Sequence, residues 1–177
     1  NVGGLGVTGG KAANVLAKDA DLILAVGTRL TDFTTASKFA FKNPDARLLS
    51  INVCPFDAFK MDAGAIIADA REALTALTAS LSAIGYRSGY QGEIAAARDE
   101  WNAIVDDFYA QPDTAAGMSQ TRALGLINSH MKPADIAVGS AGSLPGDMQR
   151  LFRPGNRGTY HMEYGYSCMG YEVNAAV

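Results

Sequence analysis

LILAV, residues 22–26, is a run of apolar residues that ends at Gly27 and has the length of one β-strand. Uninterrupted apolar runs of this kind are typical of parallel strands that are buried on both faces of a sheet. Two similar runs follow at residues 48–53 (LLSINV) and 65–68 (AIIA). We therefore predict three parallel strands in the first half of the chain.

Helical patterns surround these strands. Residues 11–18 have the spacing of a short helix, and Asp69 is placed to cap a second helix that runs to about Ser82. Its predicted buried stripe recurs at helical spacing and consists of Ala70, Leu74, Leu77 and Leu81. Strands alternating with helices predict an α/β fold with a Rossmann-like parallel sheet.

The second half of the chain repeats this order on a smaller scale. Longer helices are predicted at residues 93–110, with Trp101, Val105 and Phe108 on its inward face, and at 120–130, capped by Ser119. A short strand at 136–138 then opens into a glycine-rich loop at 139–146, before a helix at 147–152. We place a linker at residues 111–118, between one domain at 1–110 and the start of a second at 119–177. Both outer edges look interrupted, so we expect an internal piece of a longer protein.

The composition narrows the classes of function. Hydrophobic residues make up 48% of the chain, and the net charge of −3 gives no basic surface for nucleic acid. No apolar run reaches the roughly 18 residues of a membrane span, and the N-terminus lacks a signal-peptide pattern. Cys54 and Cys168 are isolated in the sequence, and the only histidines that could supplement them as ligands are His130 and His161. This set does not predict a metal cluster. We expect a cytoplasmic protein.

Two glycine-rich segments suggest anion binding. Residues 4–9 match the GxGxxG pattern of dinucleotide sites, but no strand precedes them, and a flexible loop explains them as well. The loop at 139–147 follows a strand and precedes a helix, where backbone amides favour a phosphate. An ordinary turn between strand and helix would have the same sequence.

The densest chemistry lies at residues 159–172, TYHMEYGYSCMGYE. His161 and Glu163 could carry protons, and Tyr164 adds a hydroxyl group beside them. Mixed polar and aromatic loops of this kind are common at ligand sites. The alternative is an aromatic-rich strand and loop packed at an interface.

These motifs together resemble one family. Residues 142–147 (GSLPGD) and 160–172 (YHMEYGYSCMGYE) resemble the thiamine-diphosphate-dependent enzymes, in the branch of the trihydroxycyclohexanedione hydrolases of myo-inositol breakdown. The segments 26–30 (VGTRL), 32–35 (DFTT) and 52–57 (NVCPFD) agree, and are also similar to the middle domain of acetohydroxyacid synthases. The resemblance implies that residues 1–110 are part of a middle domain and that 119–177 begin a diphosphate-binding domain.

The resemblance also implies a cofactor site. The backbone of the first loop would contact the diphosphate of thiamine diphosphate, Met169 would be the apolar wedge under the thiamine, and the backbone of Ser167 would face the aminopyrimidine ring. That first loop consists of Ala141, Gly142, Ser143 and Leu144. The candidate catalytic residues on the substrate side are His161, Glu163 and Tyr164.

The remaining expectations concern the whole protein. Mg²⁺ should accompany thiamine diphosphate there, but no residue of this chain is assigned as a metal ligand: Asp147 and Asn174 imitate the spacing of the family's metal motif, and Met148 breaks it. The activating glutamate belongs to another domain, so the chain alone should be inactive and bind no cofactor tightly. Expected partners are a cyclic 1,2-diketone, the other domains of the polypeptide, and further copies in a homo-oligomer. The alternative is an acetohydroxyacid-synthase-like enzyme, or a non-catalytic flavin-binding or assembly module.

Overall fold

The computed structural model describes residues 1–163 and 166–177. They form two compact units, which divide within one long helix between Ala97 and Arg98. Unit 1 contains residues 98–177 with residues 1–4 and 8–10, and unit 2 contains residues 11–97 with 5–7. The domain boundary expected at 111–118 stays a prediction, because compact units and the domains of a longer protein need not coincide.

Unit 2 contains a three-stranded sheet in the order β1-β2-β3, and all neighbouring strands are parallel. Its strands are β1 (Leu22–Val26), β2 (Arg47–Asn52) and β3 (Gly64–Ile67). In the register, Leu24 pairs with Leu49 and Ile51 pairs with Ile66. The predicted α/β class with a parallel sheet is confirmed.

The helices of unit 2 flank these strands in sequence. They are α1 (Lys11–Lys18), α2 (Asp32–Thr35), α3 (Pro55–Ala58), a 3-10 turn (Lys60–Asp62) and α4 (Ala70–Ala83). The predicted cap of α4 is confirmed, since the Asp69 carboxylate accepts hydrogen bonds from the backbone N–H groups of Arg71 and Glu72.

The α4 stripe is less buried than predicted. No residue of α4 is fully buried: Ala70, Leu77 and Leu81 are half-buried, and Leu74 is 39% exposed. Helix α4 follows β3, which is an edge strand of the described sheet. The spacing of leucines correctly indicated which face is apolar, but burial depends on what lies opposite that face.

Unit 1 is a small helical core beside two strands. Its elements are the long helix α5 (Gln91–Ala110) from residue 98 onward, α6 (Gln120–His130), β4 (Ala137–Gly139), α7 (Ser143–Leu151), β5 (Tyr160–Met162) and α8 (Tyr171–Ala175). Strands β4 and β5 are parallel. The core consists of Val105, Leu124, Met148, Leu151 and Phe152.

Near the end of α5, the residue that faces inward differs from the prediction by one position. Phe108, predicted to face inward, is 38% exposed, whereas Tyr109 packs against the core. The Tyr109 hydroxyl reaches the carbonyl oxygen of Leu151 and the side chain of Asn128. Burial raises the pKa of Tyr109, and Asp106 raises it further while Arg153 opposes the shift.

Helix α7 begins earlier than predicted. Its first residue is Ser143 and its N-cap is Gly142, although the sequence pattern suggested a loop up to Gly146. Pro145 lies in the first turn, where its missing N–H group costs no helical hydrogen bond. Glycine and proline are therefore compatible with the start of this helix, and the loop prediction for residues 143–146 is wrong.

Candidate functional site

The first part of the candidate site is the carboxyl end of β4, where the chain turns into α7. Gly142 adopts φ 103°, a left-handed conformation that glycine accommodates without strain. Ala141 is half-buried, whereas Gly142, Ser143 and Leu144 are exposed. The first backbone N–H groups of a helix have no partner within the helix, so this turn presents donors to an anion.

Two properties make the turn open to a ligand. A Cβ atom added to Gly142 would meet nothing within 4 Å. The first turn of α7 carries no acidic residue, so no carboxylate of that turn competes with an incoming anion for the N–H donors. The N–H groups of Gly142, Ser143 and Leu144 are therefore suited to a phosphate group, whereas the Ala141 N–H group already donates to the Ser140 hydroxyl oxygen.

The second part of the candidate site is the turn at residues 166–170. The buried hydroxyl of Ser140, directly after β4, donates a hydrogen bond of 3.1 Å to the carbonyl oxygen of Cys168. That bond brings the turn beside the start of the first loop. Ser167 and Met169 are exposed, and the Met169 side chain is 90% exposed. Two segments that the sequence separates by more than twenty residues thus lie together.

The predicted catalytic residues occupy different environments. His161 is exposed on β5, opposite Val138 of β4, and its Nε2 lies 3.1 Å from the carbonyl oxygen of Gly158. The Glu163 carboxylate accepts hydrogen bonds from the backbone N–H groups of Tyr166 (2.7 Å) and Cys168 (2.8 Å). Tyr164 lies outside the described residues.

Ser140 and Glu172 are two site residues that the sequence did not reveal. Hydrogen bonds from the Ser140 side chain and from the backbone N–H groups of Glu172 and Gly170 hold the pKa of the exposed Glu172 carboxyl below its usual value of 4.5. The single proton of the Ser140 hydroxyl cannot serve both Glu172 and the Cys168 carbonyl at once, so the two acceptors share it. The position of Ser140 directly after a strand was the only available signal.

The residues that imitate a metal motif have other partners. The Asp147 carboxylate accepts a hydrogen bond of 2.6 Å from the side-chain amide of Gln120, and Met148 is buried in the core of unit 1. Asn174 is exposed on α8. Within the described residues, no group of three or more histidine, cysteine, aspartate or glutamate side chains could hold a metal ion.

The glycine pattern at residues 4–9 allows close backbone packing. Gly6 has φ 93°, and a Cβ atom there would lie 2.0 Å from the carbonyl oxygen of Phe33. The Asn14 side chain accepts a hydrogen bond from the Gly6 N–H group and donates one to the Gly6 carbonyl oxygen. These contacts explain why glycine stands at position 6 without reference to a ligand.

Comparison with known proteins identifies the family. Residues 1–77, which include the three-stranded sheet, match the model of the thiamine pyrophosphate enzyme central domain. Residues 1–77 belong to this central-domain family. Proteins named 3D-(3,5/4)-trihydroxycyclohexane-1,2-dione hydrolase are 44% identical in Clostridium tetani and 46% identical in Bacillus anthracis, and a protein named 3D-(3,5/4)-trihydroxycyclohexane-1,2-dione hydrolase 2 is 46% identical in Bacillus cereus. Each of these alignments covers 100% of this chain.

The matches cover different lengths of this chain and of its relatives. The chain spans 31% of the length of the curated relatives it matches. The central-domain match ends at residue 77, and the relatives align with the rest of the chain as well. Across the described residues, no helix is both long and apolar enough to cross a membrane.

Proposed function

We propose that the full-length protein containing this chain is a thiamine-diphosphate-dependent hydrolase. Its substrate would be a cyclic 1,2-diketone, 3D-(3,5/4)-trihydroxycyclohexane-1,2-dione, and it would cleave one C–C bond of the ring during inositol breakdown. The observation that carries this proposal is 44–46% identity, along the whole chain, to proteins that bear this substrate in their name. We expect the chain without the remaining domains to be inactive.

The turn between β4 and α7 is the proposed diphosphate contact. Its backbone donors, the absence of an acidic residue in the first turn of α7, and the open space at Gly142 all fit an anion. When bound, thiamine diphosphate would supply a nucleophilic carbon and an electron sink, chemistry that no amino-acid side chain provides. The role of Ala141, Ser143 and Leu144 would be to bind and orient its charged end.

The neighbouring turn is the proposed support for the thiamine end. Met169 offers a flexible apolar side chain that is 90% exposed, and an exposed apolar group of this size gains free energy when a ligand covers it. The backbone of Ser167 lies two residues before it in the same turn. His161 and Tyr164 are our candidates for proton transfer on the substrate side.

Four further properties belong to the same proposal. Mg²⁺ would bridge the diphosphate and the protein through oxygen ligands that we do not assign to this chain. The other domains of the polypeptide would complete the site. A homo-oligomer would cover exposed apolar residues of the sheet, such as Leu22 and Ile66. Cys54 and Cys168, which are free and exposed, suit a reducing cytoplasm.

Calorimetry on the full-length protein with thiamine diphosphate and Mg²⁺ tests the cofactor proposal. We expect saturable binding that a chelator weakens, together with ring opening of the diketone to an open-chain acid. Wild-type protein that binds no thiamine diphosphate would overturn the proposal. Flavin absorbance in the purified protein would instead favour the flavin-binding alternative.

One pair of variants tests the diphosphate contact itself. Gly142→Asp places a carboxylate beside the proposed anion site and should raise the Kd of thiamine diphosphate at least about tenfold. Gly117→Asp is the matched control, because Gly117 has the same φ of 103° and equally open space around its Cα. Equal Kd values for the two variants would contradict the assignment of the turn at residues 141–144.

A further inference from the structure

The turn at residues 166–170 is held closed at Cys168, because both the N–H group and the carbonyl oxygen of that residue are hydrogen-bonded to side chains. The N–H group of Cys168 donates to the Glu163 carboxylate at 2.8 Å, and the carbonyl oxygen of Cys168 accepts from the Ser140 hydroxyl at 3.1 Å. The second oxygen of the Glu163 carboxylate accepts from the N–H group of Tyr166 at 2.7 Å. Hydrogen bonds between a carboxylate and backbone N–H groups are among the stronger ones in proteins.

The backbone inside this turn is costly to maintain. Ser167 adopts φ 51°, a left-handed conformation that persists in a residue other than glycine only when its surroundings impose it. Gly170 follows with φ 87°. The hydrogen bonds of Tyr166 and Cys168 flank Ser167 directly. Glu163 therefore supplies the interactions that keep Ser167 in this conformation.

This arrangement fixes the backbone from which the Met169 side chain projects. Its side chain is 90% exposed, yet it follows directly after a residue whose N–H group and carbonyl oxygen are both bonded. Without those bonds the turn could relax, and Met169 would no longer be held beside the first loop. An ordered backbone segment binds a ligand at lower entropic cost than a mobile one.

We propose that Glu163 is a positioning residue that holds the 166–170 turn closed and thereby presents Met169 and the Ser167 backbone to thiamine diphosphate. This role rests on the function proposed above, because it names the ligand of the same site. It differs from direct proton transfer. Each oxygen of the carboxylate already accepts a backbone N–H group, so accepting a substrate proton would disrupt the turn.

The decisive variant is Glu163→Gln in the full-length protein, with Glu93→Gln as the control. Both substitutions remove one negative charge and keep the shape of the side chain, but Glu93 lies in the first turn of α5, far from the turn in sequence. Amide hydrogen exchange of the peptide containing Tyr166 and Cys168 is measured without cofactor. We expect about tenfold faster exchange in Glu163→Gln and no change in Glu93→Gln.

Cofactor affinity is measured on the same proteins. We expect Glu163→Gln to raise the Kd of thiamine diphosphate with Mg²⁺ about tenfold or more, and Glu163→Ala to raise it further, because alanine removes both acceptor oxygens. Ser140→Ala opens the turn from its other side, so it should raise the Kd as well. This second route keeps the test informative if a Glu163 variant folds poorly, which circular dichroism would reveal.

The outcomes separate this role from the proposed function. Wild-type protein that binds no thiamine diphosphate overturns the proposed function, and the cofactor role of Glu163 with it, whatever the exchange data give. Wild-type binding combined with unchanged exchange or unchanged Kd in Glu163→Gln overturns the positioning role alone. A loss of kcat with unchanged exchange and unchanged Kd would show that Glu163 acts in proton transfer instead.

Discussion

Replacing Gly6 with alanine tests the packing of the N-terminal loop of unit 2. The new Cβ atom would lie 2.0 Å from the carbonyl oxygen of Phe33 and 2.5 Å from that of Thr34. Both atoms belong to the backbone, so no side-chain rotation can relieve the clash. The segment at residues 33–34 would have to move by an ångström or more, which would break the 2.9 Å hydrogen bond from the Val7 N–H group to the Phe33 oxygen.

The expected magnitude combines three losses. The left-handed φ of 93° costs alanine about 1 kcal/mol. Displacing the Val7 bond and weakening the two Asn14 bonds to Gly6 costs about 1 kcal/mol each. The sum is about 3–4 kcal/mol, which corresponds to a melting temperature lower by roughly 10 °C for a protein of this size.

The matched control is Gly3→Ala. Gly3 has a nearly identical φ of 91°, but a Cβ atom there meets nothing within 4 Å. It should therefore lose only the conformational part, about 1 kcal/mol or roughly 3 °C. Thermal unfolding followed by circular dichroism at 222 nm compares the two variants with the wild type. Melting temperatures of the two variants within about 2 °C of each other would refute the steric argument.

Three further predictions concern single polar groups. Ser50→Ala should raise the free energy of unfolding, measured by urea titration, by up to about 1 kcal/mol. The fully buried Ser50 hydroxyl has no hydrogen-bond partner in the described part of the chain, so a destabilised variant would contradict this prediction. Tyr109→Phe should lower the free energy of unfolding by about 1–2 kcal/mol, because the Leu151 carbonyl oxygen and Asn128 Oδ1 lose the hydroxyl proton that they share. Urea unfolding followed by Trp101 fluorescence measures this change, and an unchanged midpoint would contradict it. The lowered pKa of Glu172 means that its contribution to stability is present above pH 4.5 and is lost as the pH falls below that value. Ser140→Ala should move that pKa back towards 4.5 in an NMR titration, and an unchanged pKa would exclude the hydrogen bond as its main cause.

Part of this structure follows from local sequence patterns. The apolar runs gave β1, β2 and β3 to within one residue, and Asp69 and Ser119 marked the starts of α4 and α6. These signals are readable because a buried strand needs a continuous apolar segment and a helix start needs an acceptor for its first N–H groups. The motifs at residues 142–147 and 160–172 identified the family for a different reason, since they reflect chemistry that a site requires.

What lies opposite each of these elements was decided by the tertiary structure. Tyr109 rather than Phe108 packs against the core, where its hydroxyl reaches the carbonyl oxygen of Leu151, and the apolar stripe of α4 is only half-buried. The partners of Glu163 are backbone N–H groups, which almost every residue possesses and which leave no mark in the sequence. Ser140 and Cys168 meet across 28 positions of the chain, because a parallel pair of strands ends at one edge. Sequence determines which groups exist, whereas the fold determines which of them are close enough to bond.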